Sequence, residues 1–424
     1  MDPALRLLKD LVAIDSVNPS LVAGAAGEAA VARALIEEMR GIGLTVEIQE
    51  VAPGRPNVVG TLDGRAPGRS LMFCGHIDTV GVAGMTRPFD PVERDGRVYG
   101  RGSQDMKSGV AAMIGAARAI AESGGLATGR LVIACVVDEE HASIGADALV
   151  TRWRTDGAVV TEPTDLQVAI AHKGFEWIEI ETEGRAAHGS RPREGRDAIR
   201  LMGRVLDGLD RLDRDLQSRP PHALLGTASL HASVIEGGHE LSSYPDRCHL
   251  QMERRTIPGE VPGAGGREVE ELLARLRRDD PEFKAASRVL FARNPHQVDP
   301  NHELPQKLLA AIRRLAPGTL APSTLAPSTL APSTPAPGTL APSTPAPSTP
   351  APSTLAPSTP APSTPALIGM SFWTDASVLG DAGIPAILFG PTGAGLHSVE
   401  EWVDVKSVLA CRDALASLAR DWCR

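Results

Sequence analysis

Short apolar runs recur in this chain at Ser70 to Cys74, Leu131 to Val137, Ala158 to Val160 and Ala386 to Phe389, each bounded by turn residues. A strand with one wet face alternates apolar and polar residues. A run that is apolar throughout must be covered on both faces, the pattern of a parallel sheet packed between helices. Helical patterns at Pro3 to Ala13, Gly27 to Arg40 and Met106 to Ala121 supply that cover, the second stopped by Gly41 and Gly43. The expected fold class is α/β, with a doubly covered, mixed and largely parallel sheet. The middle of the chain reads differently. Phe175 to Thr182 alternates as a strand, Asp197 to Leu216 is helical, Ala228 to Ile235 and Arg247 to Arg255 are strands, and a helix falls near Glu268 to Arg278. A strand-helix-strand-strand-helix-strand order predicts a small α+β, ferredoxin-like domain interrupting the larger one. The predicted organisation is a large domain from 1–172 and 293–424, with the inserted domain at 173–292.

One stretch fits neither domain. Ala316 to Pro365 consists of ten pentads of the form Ala-Pro-(Ser/Gly)-Thr-(Leu/Pro), with 15 of the chain's 35 prolines and no charge. Proline at this density removes backbone donors and forbids helix or central strand, so coil or polyproline conformation is expected. Closing a loop of about 50 residues rather than about 5 costs only about 2 kcal/mol. Residues 316–366 therefore read as a tolerated, disordered insertion in the second part of the large domain.

Composition narrows the function classes. The 424 residues carry 43 basic and 52 acidic side chains, net charge -9, and only 3% aromatics; an acidic chain with few stacking rings is not expected to bind nucleic acid. No apolar run approaches the roughly 18 residues of a membrane span, and Met1 to Ser20 scatters Asp2, Arg6, Lys9 and Asp10 among its leucines, unlike an export signal. Five widely spaced cysteines without a CxxC offer neither a disulfide framework nor a structural zinc ribbon. A cytoplasmic protein with no membrane association is expected.

The chemistry sits where the apolar runs end. Cys74 leads into Gly75-His76-Ile77-Asp78, Val137 into Asp138-Glu139-Glu140, and Val160 into Thr161-Glu162-Pro163. Asp105 stands at the start of a helix that it could cap, and His397 follows the run ending at Phe389. The carboxyl edge of an open α/β sheet is where ligands bind. Imidazoles and carboxylates converging there would repel one another without cations, and mixed nitrogen and oxygen donors suit zinc, and also cobalt or manganese. Competing chemistries lack their residues: there is no Gly-x-Ser-x-Gly and no His-Glu-x-x-His, and Asp105 stands where a dinucleotide fingerprint needs its third glycine.

Five ordered motifs, Gly75-His-Ile-Asp-Thr-Val80, Gly100-Arg-Gly-Ser-Gln-Asp-Met-Lys-Ser-Gly109, Asp138-Glu-Glu140 with a later Gly145, Thr161-Glu-Pro163 and Gly395-Leu-His-Ser398, together resemble the dinuclear metallohydrolases of the M20 peptidase family. The resemblance runs along essentially the whole chain except the Ala-Pro pentads. It implies an amidohydrolase holding two divalent ions through His76, Asp105, Glu140, Glu162 and His397, with Asp105 bridging. It pairs Glu140 with His76 on one ion and His397 with Glu162 on the other. It further implies Glu139 as general base and Asp78 as the carboxylate holding the far nitrogen of His76. In the inserted domain, Gly184-Arg-Ala-Ala-His188-Gly-Ser-Arg-Pro192 resembles the segment whose histidine enters the partner subunit's site, which implies a catalytic and substrate-binding role for His188 and a homodimer formed through this lid. Glu253-Arg-Arg-Thr-Ile-Pro-Gly259 resembles the strand whose arginine clamps a substrate carboxylate; spacing from Pro258 favours Arg255 over Arg254. The implied substrate is an N-acyl amino acid, of the acetylornithine or succinyl-diaminopimelate type, or else a short peptide. Asp375, in Trp373-Thr-Asp375, reads as a helix cap, with a role near the site as the alternative.

Overall fold

Three helices in this chain begin where an aspartate side chain accepts one of their free N–H groups. The Asp2 carboxylate accepts the Ala4 N–H at 2.8 Å with Pro3 next in line, starting α1 (Pro3–Val12). Asp197 accepts the Arg200 N–H at 3.0 Å to start α5 (Ala198–Ser218), and Asp404 accepts the Ser407 N–H at 2.8 Å to start α9 (Val405–Trp422). Beyond α2 (Ala29–Gly41), Gly43 turns the chain at φ +86°, a conformation that costs glycine little. The computed structural model describes residues 1–315 and 366–424; the expected disorder of the pentads lies outside these.

The apolar runs form the centre of a nine-stranded sheet. Strands β3 (Ser70–His76), β6 (Arg130–Val136), β7 (Ala158–Val160) and β15 (Ala386–Leu388) run parallel to one another, in the order β6-β3-β7-β15. On one flank β2 (Arg55–Asp63) and β1 (Thr45–Ala52) continue antiparallel. On the other, β8 (Val168–His172) and β13 (His296–Gln297) are antiparallel additions, and β14 (Leu367–Met370) runs parallel to β8. The sheet is thus mixed, its largely parallel centre buried on both faces as the uninterrupted apolar runs require. Alternate residues divide between two cores. Phe73, Leu131, Ile133 and Val159 pack with α1, α2, α3 (Lys107–Glu122), α7 (Glu303–Leu315) and α9. Met72, Cys74, Val132, Ala134 and Val160 pack with α4 (Ile144–Arg152) and α8 (Ala376–Asp381). No helix among the described residues is long and apolar enough to cross a membrane.

Residues 174–293 build a separate antiparallel sheet in the order β10-β11-β9-β12, from β9 (Gly174–Glu183), β10 (Ser229–Gly237), β11 (Arg247–Thr256) and β12 (Lys284–Arg293). With α5 and α6 (Ala264–Asp279) interleaved, this is the ferredoxin-like arrangement. One face buries Ile178, Ile180, Leu250 and Met252 against the two helices. A small third sheet joins β4 (Val92–Arg94), β5 (Arg97–Tyr99), β17 (Trp402–Asp404) and β16 (Gly393–Ala394). Pairing of Tyr99 with Trp402 brings the loop before α3 against the loop before β17.

Close approach between α3 and the sheet edge depends on Gly109, where an added Cβ would collide with the Thr161 carbonyl oxygen. A Gly109→Ala substitution should lower unfolding stability by about 2 to 3 kcal/mol, measured by urea denaturation. It should also disturb the adjoining Glu162.

Candidate metal centre

Strand register decides which ionisable groups meet. Met72 pairs with Ala158 and Cys74 with Val160 in the parallel β3–β7 ladder, so His76, the last residue of β3, and Glu162, two residues past the end of β7, emerge side by side. Their closest atoms, His76 Nε2 and Glu162 Oε1, are 3.6 Å apart. Asp105 comes from the loop before α3 and places its two oxygens against two imidazoles, Oδ1 at 3.1 Å from His76 Nε2 and Oδ2 at 3.4 Å from His397 Nε2. Glu140 Oε2 lies 3.0 Å from His397 Nε2. Two donor groups result, His76-Asp105-Glu162 and Asp105-Glu140-His397, with the ligand atoms of each within 4.8 Å of one another.

Asp105 belongs to both groups, as a bridging ligand would. The implied partnership is reversed, however: Glu162 groups with His76 and Glu140 with His397. The register explains it, because Glu140 lies on the turn beyond β6 and reaches the His397 loop, while β7 delivers Glu162 to His76. Asp105 does not cap α3, whose N-cap is Met106 without a side-chain bond, so its carboxylate is free for the cleft.

Electrostatics fit divalent cations. Burial, then the charges of neighbouring carboxylates, push Glu139 and Glu162 well above the carboxylate range; burial and Asp105 push Glu140 to about 7. Burial would raise Asp105 too, but hydrogen bonds with His397 and His76 hold it well below its ordinary value. Burial would lower His76, yet contacts with Asp105 and Asp78 and the charges of Glu162 and Glu139 raise it well above the usual imidazole range. Bonds to Asp105 and Glu140 lift His397 to about 10. Glu140 Oε1 is buried with no hydrogen-bond partner. Nitrogen and oxygen donors, excess negative charge and an orphaned carboxylate oxygen together suit two divalent ions.

Other residues hold the donors in place. The His76 Nδ1 lies 3.0 Å from the main-chain carbonyl of Asp78 and 3.6 Å from its carboxylate. The far nitrogen is therefore oriented chiefly by Asp78's backbone, while its carboxylate accepts the N–H groups of Glu139 and Glu140, each at 3.2 Å. Glu401 performs a similar task beneath Asp105, accepting the N–H groups of Gly102 (3.0 Å), Gln104 (2.8 Å) and Asp105 (3.0 Å) and the Arg101 guanidinium at 2.7 Å. Sequence reasoning missed Glu401; the signal was Arg101, a basic residue tightly flanked by glycines that, once buried, needs a carboxylate. Asp375 does not cap α8 through its side chain; it is buried behind the cluster, and burial pushes it to about 7.

The cleft, about 280 Å³, is lined by the ionisable Asp105, Glu139, Glu140, Glu162 and His397 together with the apolar Phe372, Trp373 and Leu396. Neither His188 nor Arg255 lines it. His188 is exposed, on a segment bridged to Ser243, with Nδ1 2.8 Å from Ser190 Oγ. Arg254 is fully buried and bound to Glu260 and Glu268, whereas Arg255 is part-exposed, gives only its Nε to Glu253 at 2.6 Å, and lies over the Phe175 ring, which in turn meets Trp373 edge-on.

The model of Peptidase family M20/M25/M40 matches residues 72–421. The chain belongs to this family. It is 33% identical over 268 residues to the acetylornithine deacetylase of Photorhabdus laumondii, spanning 61% of this chain and 69% of that one. It is 26% identical over 418 residues to the N-formyl-4-amino-5-aminomethyl-2-methylpyrimidine deformylase of Bacillus subtilis, spanning 90% and 86%. Its fold is similar to that of a tripeptidase from Staphylococcus aureus, with TM-score 0.74 and 19% identity over 100% and 98% of the two chains. It is likewise similar to a dinuclear metal-binding M20 peptidase from Bacillus subtilis, with TM-score 0.68 and 15% identity over 99% and 97%. This M20 chain is accordingly a metallopeptidase or amidohydrolase.

Ion uptake by this M20 chain should expel protons. Glu140, raised to about 7, and the raised imidazoles bind protons that a cation must displace, so zinc affinity should climb as pH rises from about 6 to 8. Calorimetric titration in two buffers of different ionisation enthalpy should reveal net proton release, about one or more per protein.

Proposed function

We propose that this chain hydrolyses the amide bond of N-acyl amino acids, using two divalent ions, zinc foremost and cobalt or manganese as substitutes. The observation that carries this reading is Glu139. It stands in the cleft with Oε2 3.9 Å from His76 Nε2, yet belongs to neither donor group. A carboxyl left over from two ligand sets, and raised in pKa, is suited to move a proton.

His76, Asp105 and Glu162 would hold one ion and Asp105, Glu140 and His397 the other. The chemistry such ions supply when bound is Lewis acidity, polarising an amide carbonyl and acidifying water. Glu139 takes the proton from the attacking water and returns it to the leaving nitrogen. Asp78 keeps His76 oriented and fixes the backbone of Glu139 and Glu140. Arg255, with its terminal nitrogens uncommitted to any other protein group among the described residues, receives the substrate carboxylate as a planar fork. His188 reaches the site of a second copy and steadies the oxyanion. The supporting feature for a dimer is the outer strand β10, an unpaired edge with Val234 and Ile235 exposed. A cytoplasmic location is supported by the absence of any disulfide among the five buried cysteines.

A second reading, hydrolysis of short peptides, is favoured by the apolar Phe372, Trp373 and Leu396 in the lining, which suit a peptide side chain. Rates for N-acetylornithine, N-succinyl-diaminopimelate, N-acetyl apolar amino acids and dipeptides, measured with added zinc or cobalt, separate the two. Inactivity on every N-acyl amino acid would overturn the first. Glu139→Gln should reduce kcat by about 1000-fold or more with metal content intact, checked by elemental analysis. His188→Ala should lower kcat by about 100-fold with KM little altered, tested by steady-state kinetics.

A further inference from the structure

A second cluster of buried charge lies behind the cleft. Asn18, Glu28, Asp78 and Asp138 have essentially no solvent exposure, and Arg55 is 8% exposed. The Arg55 guanidinium gives Nε to both Glu28 oxygens (3.1 and 2.9 Å), Nη1 to Ser20 Oγ (3.0 Å), and Nη2 to Glu28, to Asn18 Oδ1 (3.1 Å) and to Asp138 Oδ1 (2.8 Å). The Asn18 amide then donates to two carboxylates at once, Asp78 Oδ2 at 2.7 Å and Asp138 Oδ1 at 3.1 Å. Those two carboxylates are the supports of the Glu139–Glu140 turn. Asp78 receives both N–H groups of the pair; Asp138, in the left-handed region at φ +69°, receives the Ala142 N–H on its side chain and those of Ala142 and Ser143 on its carbonyl.

Without Asn18 and Arg55, Asp78 and Asp138 would be buried like charges facing each other, and the turn they support would lose its fixed position. We propose that Asn18 and Arg55 are positioning residues, which set the carboxylates of Glu139 and Glu140 and thereby the cation affinity of the centre. The inference rests on the reading of that centre given above. A guanidinium fork is required because one side chain must satisfy Glu28, Asn18 and Asp138 in different directions, which a lysine ammonium at the same place cannot do with the same geometry. Supports of this kind typically contribute 10- to 100-fold to metal affinity or activity.

The test uses the full-length protein with zinc chloride as probe. Asn18→Ala and Arg55→Lys should each weaken zinc binding by about 10-fold or more, measured by competition with a chromophoric chelator. In zinc-saturated protein each should lower kcat by about 10- to 100-fold while KM changes less than about threefold. The visible spectrum of the cobalt-loaded variants should change, since the donor oxygens shift. Asn18→Asp, the same size but with a donor replaced by a third carboxylate, should be worse than Asn18→Ala. Should Arg55→Lys fail to fold, the Asn18 pair decides alone. Variants that lose melting temperature but keep parental zinc affinity, cobalt spectrum and kcat would show a bracing role only and overturn the inference. Failure of the parent protein itself to bind zinc would overturn the reading of the centre, and this inference with it.

Discussion

Parallel pairing of β3 with β7 is the constraint on which the rest depends. It fixes His76 beside Glu162 with no freedom for either to retreat, because both residues continue buried strands whose register is locked by residues four positions earlier. Once those two are set, Asp105 must lie between them and His397, and the protein has to accommodate several carboxyl groups in a space of low polarity. Left to themselves such groups would take up protons or swing toward water. The surrounding fold prevents the second outcome by tethering backbone: N–H groups around Asp105 end on Glu401, and those of Glu139 and Glu140 end on Asp78. Suppressing motion this way keeps the donors together and leaves charge as the quantity that varies.

That division explains an otherwise uneconomical number of buried acids. Some carboxylates face the cleft; others face backbone or arginine and have their oxygens occupied. Glu401 and Glu28 are of the second kind, each tied to a buried or nearly buried arginine, Arg101 or Arg55. An ion pair in such a place contributes little to stability by itself, since desolvation offsets the attraction, but loss of one partner strands the other. The arginines are thus better understood as fixing geometry than as stabilising the fold.

Much of this was legible in the residues. Uninterrupted apolar runs gave the buried parallel strands, because periodicity reports how many faces are covered. The ligand candidates were legible because ionisable residues directly after such runs have few other reasons to be there. Pairing was not: the text orders Glu140 before Glu162 but says nothing of which neighbour each strand has, and so the partners were interchanged. Asp375 illustrates a different gap, since a residue before a short helix looks like a cap whether its side chain bonds the helix or turns away from it. Asn18, Arg55 and Glu401 escaped notice because their significance is a matter of long-range contact; Arg101 and Glu401 stand 300 positions apart in sequence.

That last separation bears on how the protein comes into being. The β5–β17 pairing and the Arg101–Glu401 contact close the floor of the centre with residues from the final part of the chain. During synthesis His76, Asp105, Glu140 and Glu162 emerge long before His397, so a chain still short of His397 can complete only the first of the two donor groups. The second donor group is complete only once His397 has emerged, so the reactivity proposed above for this centre cannot develop earlier in synthesis.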